Sequence, residues 1–447
     1  MLADILSSYY YVKLAGFNFN KNSCNIWKPL ENIDQPIDIY PGRDFPEFSE
    51  VLKAAALKNT DADIIVVCKP RLPSMQLGLM MKSFHNRPLV LDIDDYELGF
   101  FKDRVTKMNE DDIRQPHGEI WTNYCENLIR YADGIIVSNS ALSEKYGGVV
   151  IPHARNESIF NPEFYSKQKR RKELEISLED KVVLFLGTPR KHKGLLELSK
   201  AINLRGSLSY KLCIMGSFPD EKFKESLIAV GKEHLILFPD QPFGDIPKNI
   251  AIADLVCLLQ DEGRETSRYQ LPAKVIDALA MGVPVLATET PALKPLIDQG
   301  VVIKTNRKAL PDDIERIISN LDLYKNNQLE KRHVFIDEYS YGAVYKKFEK
   351  VINDTIINHK ELPNKALVLI ELQEKIFNHL KKQMDPSKQY PSDQKEKMEI
   401  VNKEFKKIEK ERRKFDMKYK IMKSKIWPYI RPFHRAASFV KRYFKMF

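Results

Sequence analysis

Two doubly wound α/β domains followed by a basic helical extension are the architecture this sequence predicts. Three observations carry that expectation. Short apolar runs alternate with helix-like segments from residue 37 to about 340, a polar stretch interrupts the alternation once, and the final residues hold the excess positive charge. Apolar runs without polar alternation mark strands buried on both faces, the pattern of a parallel sheet covered by helices.

The first half offers IDIYPG (37–42), ADIIVVC (62–68), PLVLDI (88–93), GIIVSN (134–139) and GVVIP (148–152) as strands. Between them, 46–58, 74–85 and 119–132 repeat apolar residues at helical spacing. YYVKLAGF (10–17) also reads as a strand, but so little chain precedes it that a first strand–turn–helix unit is expected to be missing or atypical. The polar stretch 155–180, with SKQKRRKE inside it, reads as a linker. Strands resume at KVVLFLG (181–187), YKLCIMG (210–216), HLILFP (234–239), LVCLLQ (255–260), VPVLAT (283–288) and VVIKT (301–305). The expected division is a Rossmann-like domain at 1–160, a linker at 161–180, a second Rossmann-like domain at 181–340, a closing helix at 341–357 and a tail at 358–447. Ligands of such open sheets bind beyond the carboxyl ends of the strands, here in a cleft between the domains.

Composition narrows the setting. Among 447 residues, 43% are hydrophobic and 25 are proline, as in ordinary globular chains. No apolar run reaches about 18 residues, which predicts no membrane-spanning helix. MLADILSSYYYVK lacks the basic and apolar regions of a signal peptide. Cys24, Cys68, Cys125, Cys213 and Cys257 form no CxxC pair, so neither a disulfide framework nor a zinc site is expected, and a cytoplasmic location is. The net charge of +10 is uneven: residues 391–447 hold 18 Lys or Arg against 7 Asp or Glu. Charge therefore speaks about the tail and not about the fold.

Two segments carry candidate chemistry. VVLFLGTPRKHKG (182–194) runs a buried strand into Gly187 and then gathers Arg190, Lys191, His192 and Lys193. It is not a Walker A loop, because its lysine precedes the second glycine, and no GxGxxG points to a dinucleotide. Arg190 and Lys193 can converge on phosphate oxygens beside the following helix N-terminus; a solvated basic turn is the plain alternative. In DEGRETSRYQLPAKVIDALAMGVPVLATETPAL (261–293), Pro272 opens a helix that Gly282 ends. Lys274 and Asp277 share a face of that helix, where they either pair at the surface or serve a phosphate and a sugar hydroxyl.

Together, GTPRKHKG and LPAKVIDALAMGVPVLAT resemble the retaining glycosyltransferases of the GT-B fold, the group related to glycogen synthases and bacterial mannosyltransferases. Gly187, Lys193 and Gly194 match that group's G-R-x-x-x-x-K-G, and Pro272, Lys274, Asp277, Ala280, Gly282, Pro284 and Val285 match its P-x-K-x-x-E-x-x-A-x-G-x-P-V. ADIIVVCKPR, LVLDIDD and ADGIIVSNSALSEKYGGVVIPHARNESIFNPE add weaker likenesses, so the resemblance spans roughly 10–355. It implies a hexosyltransferase using a nucleotide-diphosphate sugar as donor, with no metal and no other cofactor. The implied donor residues are Gly187, Thr188, Arg190, Lys193, Tyr269, Gln270, Leu271, Pro272, Lys274 and Asp277. Of these, Arg190 and Lys193 would hold the diphosphate and Asp277 the ribose; Asp240 to Phe243 would line the base, and residues 262–271 would face the sugar. Lys191 and His192 are expected to be bystanders. Two positions depart from the pattern: Tyr269 stands where a glutamate is usual, and Thr188 where an arginine is, with Arg190 as a displaced helper. On the acceptor side the candidates are Lys69, Arg71, Asp94, Asp95 and His153, for each of which a structural role is an equal alternative. LDIDDYE also invites a DxD metal-site or a DxDx(T/V) phosphatase reading, but neither has a matching second half in the chain.

In the tail, Met398, Val401, Phe405, Ile408, Arg412, Phe415, Tyr419, Met422 and Ile426 alternate spacings of three and four. This is the seam of a coiled coil over 398–426, for self-association or a partner, unless a single helix packs on the body. Beyond Asp416 the charged residues are all basic, and Phe433, Ala437, Val440, Phe444 and Phe447 share one helical face. Residues 427–447 thus suit an anionic membrane interface, with nucleic acid as the less favoured partner. The combined expectation is a cytoplasmic enzyme, peripheral on the inner face of a membrane, that extends a glycan or glycolipid acceptor in polysaccharide or lipopolysaccharide assembly. A catalytically weak scaffold that recruits other glycan-assembly enzymes is the alternative.

Overall fold

The computed structural model describes residues 1–19, 33–59, 61–101, 110–204, 209–261 and 263–362. The coiled-coil expectation at 398–426 and the membrane-interface expectation at 427–447 lie outside the described residues. No helix among the described residues is long and apolar enough to cross a membrane.

The first half forms β1 (Leu14–Asn18), β2 (Ile37–Pro41), β3 (Ile65–Cys68), β4 (Leu89–Ile93), β5 (Gly134–Val137) and β6 (Val149–Val150). β1 and β2 pair with each other in parallel, Leu14 opposite Ile37, and β3 to β6 follow one another across a separate parallel sheet. Val90 of β4 lies opposite Val66 on one side and Gly134 on the other. The strand expected at 10–17 begins only at Leu14, because Tyr9, Tyr10 and Tyr11 stand out in solvent. Ahead of β1 the chain forms a short helix, Leu2–Ser7. Its Ile5 and Leu6 are buried against Val344 and Phe348 of the closing helix Tyr341–Ile357.

The second half forms β7 (Lys181–Leu186), β8 (Tyr210–Met215), β9 (Leu235–Phe238), β10 (Leu255–Leu258), β11 (Val285–Thr288) and β12 (Ile303–Thr305). Their order across the sheet is β12-β11-β10-β7-β8-β9, all parallel. This is a doubly wound sheet whose strand order reverses between β7 and β10, the place where such sheets open a ligand crevice. Val182, Val183, Leu184 and Phe185 of β7 and all of β10 are buried, as continuous apolar runs require. The two sheets together are the GT-B architecture.

The stretch expected as a polar linker packs closely on this sheet. Ser166 caps the helix Lys167–Glu173 by accepting from the Lys169 amide. Arg171, wholly buried, donates to the Ile252 carbonyl and to Asp254 at 2.8 Å. The chain crosses between the halves at one point, where residue 155 runs beside residue 340. There the Arg155 amide donates to the Tyr339 carbonyl and the Tyr341 amide to that of Arg155, at 2.9 and 3.1 Å. Glu157 caps the closing helix by accepting from the amides of Tyr341 and Gly342.

Candidate functional site

The turn after β7 lies across the reversal point, and backbone crowding explains its glycines. Gly187 has φ 126°, and a Cβ there would come within 2.6 Å of Lys274 Cε. Gly194 has φ 66°, and its Cβ would meet Leu259, just past β10, at 2.5 Å. Gly194 combines positive φ with no room for a side chain, whereas at Gly187 the positive φ is the constraint, because the tip of Lys274 could give way. Between them, a tight helical turn over Lys191–Lys193 leads into the helix Leu195–Asn203.

Within that turn the four basic residues separate. Lys191 points away, 3.1 Å from Asp220, and Arg190 is exposed. Lys193 reaches into a pocket that it lines with Phe185, Leu259, Gln260, Pro272 and Lys274. Burial, then the charge of nearby Lys274, brings the Lys193 ammonium down to about 8, and Arg190 and Arg264 push the same way. Burial likewise lowers Lys274, which makes no hydrogen bond or ion pair among the described residues. His192 falls to about 4 through burial and then Lys193, so it is a neutral imidazole at neutral pH. Half-buried cations without an ion pair are stabilised by a nearby negative charge.

Helix Ala273–Ala280 starts at Pro272 and carries both Lys274 and Asp277. The surface pair left open by their spacing does not form. Asp277 is buried and accepts from Arg155 Nε, while the Arg155 guanidinium lies 5.6 Å from the Phe160 ring and 5.7 Å from that of Phe243. The carboxylate implied for the ribose is thus already held on one side by an arginine from the crossover. Of the expected base-lining loop, Asp240 accepts from the Ser217 amide and the Phe243 ring is half exposed.

Ahead of Pro272, part of the expected polar loop coils into the short helix Glu265–Tyr269. Its last residue, Tyr269, turns to the first half of the molecule. The Tyr269 ring meets that of Tyr96 edge-on at 5.1 Å, Lys145 lies 4.5 Å over the Tyr96 ring, and Asn139 donates to the Tyr269 carbonyl. Gln270 bridges the cleft, accepting from Lys193 Nζ at 3.3 Å and donating to Asp95 at 3.2 Å. Leu271 is buried beneath it and Thr188 is exposed.

The facing wall is acidic and internally paired. Lys69, at φ 71° beyond β3, places its ammonium 2.7 Å from Glu97, 3.1 Å from Asp94 and 3.7 Å from Asp95. Burial opposes its charge, yet Asp94, Glu97 and Asp95 hold its pKa above the usual lysine value. Arg71 Nε lies 2.5 Å from Glu97. Carboxyl oxygens of Asp94, Asp95 and Glu97 sit within 4.8 Å of one another, close enough to share a cation, and the Lys69 ammonium is the cation among them. Burial and then Asp94 push Asp92 up to about 8. His153 is lowered by burial and lies within the fields of Asp94, Arg155 and Asp277. The crevice therefore brings Arg190, Lys193, Lys274, Tyr269, Gln270 and Asp95 together, with Arg71 farther out on Glu97. Arg155, Glu97, Asn139 and Gln260 were not singled out by sequence; the first pairs with a residue 122 positions away, a separation that no local pattern reports.

Comparison with known proteins bears on the fold and the family. Residues 166–338 match the family described as Glycosyl transferases group 1. Over 214 residues the chain is 27% identical to a Bacillus subtilis protein assigned as the teichuronic acid biosynthesis glycosyltransferase TuaC. That alignment covers 47% of this chain and 49% of the relative, so the chain spans about half the length of the curated relative it matches. Among solved structures, Anabaena HepE in complex with UDP and glucose superposes with a TM-score of 0.61 at 15% identity, covering 79% of this chain and 94% of HepE. Sucrose-phosphate synthase from Thermosynechococcus elongatus gives 0.60 at 14% identity, covering 79% and 91%. At such identities these structures speak for the fold. Residues 166–338 are thus similar to the glycosyl transferases group 1 family, and the fold around them is a GT-B architecture.

Proposed function

We propose that the protein is a retaining glycosyltransferase that moves a hexose from a nucleotide-diphosphate sugar to a lipid-linked or cell-surface polysaccharide acceptor. The observation that carries the reading is the group of cations at the β7–β10 reversal, Lys193, Lys274 and Arg190. None of them makes an ion pair with a carboxylate among the described residues, although Asp95 and Asp277 lie near enough to favour the charge of Lys193 and Lys274. A diphosphate supplies the missing charge, and the same cations stabilise the negative charge that grows on it as it departs. In the reaction the bond from the sugar C1 to the diphosphate oxygen breaks and a bond from C1 to the acceptor oxygen forms. The acceptor proton passes to the departing phosphate, so the chain needs no dedicated base and works mainly by positioning. Lysine and arginine provide the charge that a divalent ion provides elsewhere, and the reading requires no metal.

In this reading Asp277 accepts from the ribose with the oxygen that Arg155 leaves open, and the acceptor approaches from the wall of Lys69, Arg71, Asp95 and His153. The basic, aromatic composition of 427–447 supports work at the inner face of a membrane, and the seam at 398–426 supports self-association. The test is incubation of the full chain with UDP- and GDP-sugars and a membrane lipid extract, read as nucleotide release. Release with one donor and transfer of label to lipid is the expected result. A second reading, a scaffold with little activity, is favoured by one observation: Tyr269 stands where a glutamate is usual and packs against Tyr96 and Lys145. No release, with no UDP or GDP binding by calorimetry, would establish the scaffold.

A further inference from the structure

Gln260 follows β10 at the strand-order reversal and is only 5% exposed. The residue lines the pocket beside Lys193 and Lys274, and neither the nitrogen nor the oxygen of its buried side-chain amide has a hydrogen-bond partner. The residue is held firmly from behind, where its carbonyl accepts from Thr288 Oγ1 at 2.9 Å. Other buried amides such as Gln76 also lack partners, but Gln260 is the one placed on the crevice. A buried amide with both ends unmet is unfavourable unless something arrives to meet them.

The chemistry of an amide restricts what that is. Its NH2 needs an acceptor, which a phosphate oxygen provides. Its carbonyl needs a donor, and a phosphate has none to offer at neutral pH. One ligand meets both ends if a hydroxyl stands next to the diphosphate, and that is the arrangement where a transferred sugar joins its leaving group. We propose that Gln260 is a specificity-determining residue that reads a sugar hydroxyl beside the diphosphate, an inference that rests on the donor-site reading above. A residue placed for packing alone has no reason to be a glutamine here, because methionine fills the same space without an unmet polar group.

The test replaces Gln260 with methionine in the full chain. Melting is followed, and binding of UDP, GDP, UDP-glucose and GDP-mannose is measured by calorimetry, together with KM and kcat for the donor that turns over. Gln260→Met is expected to melt at or above the wild-type temperature. It should bind the free nucleotide a few-fold more weakly, through the lost phosphate contact, and the nucleotide sugar about tenfold or more beyond that loss, since a site built to hydrogen-bond a hydroxyl loses discrimination when the partner is removed. Equal losses for nucleotide and nucleotide sugar would mean that Gln260 meets phosphate only, and overturn the proposal. A lower melting temperature with an unchanged binding ratio would assign it to the scaffold, and overturn it as well. Wild-type protein that binds none of the four ligands overturns the donor-site reading itself, whereas binding with an unmoved ratio in the variant overturns this inference alone.

Discussion

Strands β7 and β10 carry a cluster of cations at each end, and the two clusters are closed differently. At the amino end, Lys167 and Lys325 lie 2.5 and 3.1 Å from one oxygen of Asp254, and Arg171 and the Val182 amide reach the other. At the carboxyl end, Lys193, Lys274 and Arg190 gather around a crevice where none of them makes an ion pair among the described residues, and Asp95 is reached from Lys193 only through Gln270. Burial opposes the charge of Asp254, but Lys167 and Lys325 prevail and hold its carboxyl down at about 2. Burial depresses Lys193, with repulsion from Lys274 adding to it, and burial depresses Lys274 against the pull of Asp277. Burial lowers Lys167 at the other end as well, so the two ends differ in the paired carboxylate and not in the lysines alone. A cation cluster that contains its own counter-charge braces the fold; one that lacks it retains favourable interaction energy for a ligand.

The largest effect should come from breaking the brace. Asp254→Ala strands three cations in a buried site and is expected to cost about 3–5 kcal/mol in urea unfolding. Lys193→Ala should not destabilise the protein, because it relieves repulsion, but should cost about 2–3 kcal/mol of nucleotide-diphosphate affinity by calorimetry. Equal stability losses in the two variants would erase the contrast. Acid separates the ends next. The Asp254 carboxyl is lower in the folded chain than its unfolded value of about 3.9, so its contribution is complete above that value. It is lost as pH falls from about 4 to about 2, on the order of 2 kcal/mol, and Asp254→Asn should flatten that part of the melting profile.

On the alkaline side, Lys193 is charged below about 8 and loses its proton above it. Nucleotide affinity should therefore hold steady near neutrality and weaken by up to about tenfold per pH unit beyond 8. The Lys193→Arg variant should remove that step, and its persistence would assign it to another group. The smallest effect belongs to Lys191→Ala, expected to change nucleotide affinity by less than about twofold because that charge faces Asp220 in solvent. A loss equal to that of Lys193→Ala would make the turn an undifferentiated basic patch.

Much of this molecule is readable in one dimension. The central strands β4, β7, β8, β10 and β11 follow the apolar runs, because burial on both faces of a parallel sheet leaves a continuous local signature. Gly187 and Gly194 bracket the basic turn because left-handed backbone and close approach leave few alternatives there. The same pattern overextends β1, where Tyr10 and Tyr11 look like strand residues but are exposed. It also reads 161–180 as a tether, since a polar composition does not reveal that Arg171 is buried on Ile252 and Asp254.

By itself, then, the chain's local pattern determined two α/β halves, their parallel strands and the identity of the turn that gathers cations. Only the tertiary structure decided how the side chains divide their labour. It turned Lys191 toward Asp220, gave Asp277 to Arg155, spent Tyr269 on Tyr96 and placed Gln260 with its amide unmet on the crevice. The physical reason is range. Strand burial and backbone conformation are settled within a few residues, whereas charge pairing and desolvation depend on groups far apart in the chain that meet only when the two halves close on each other.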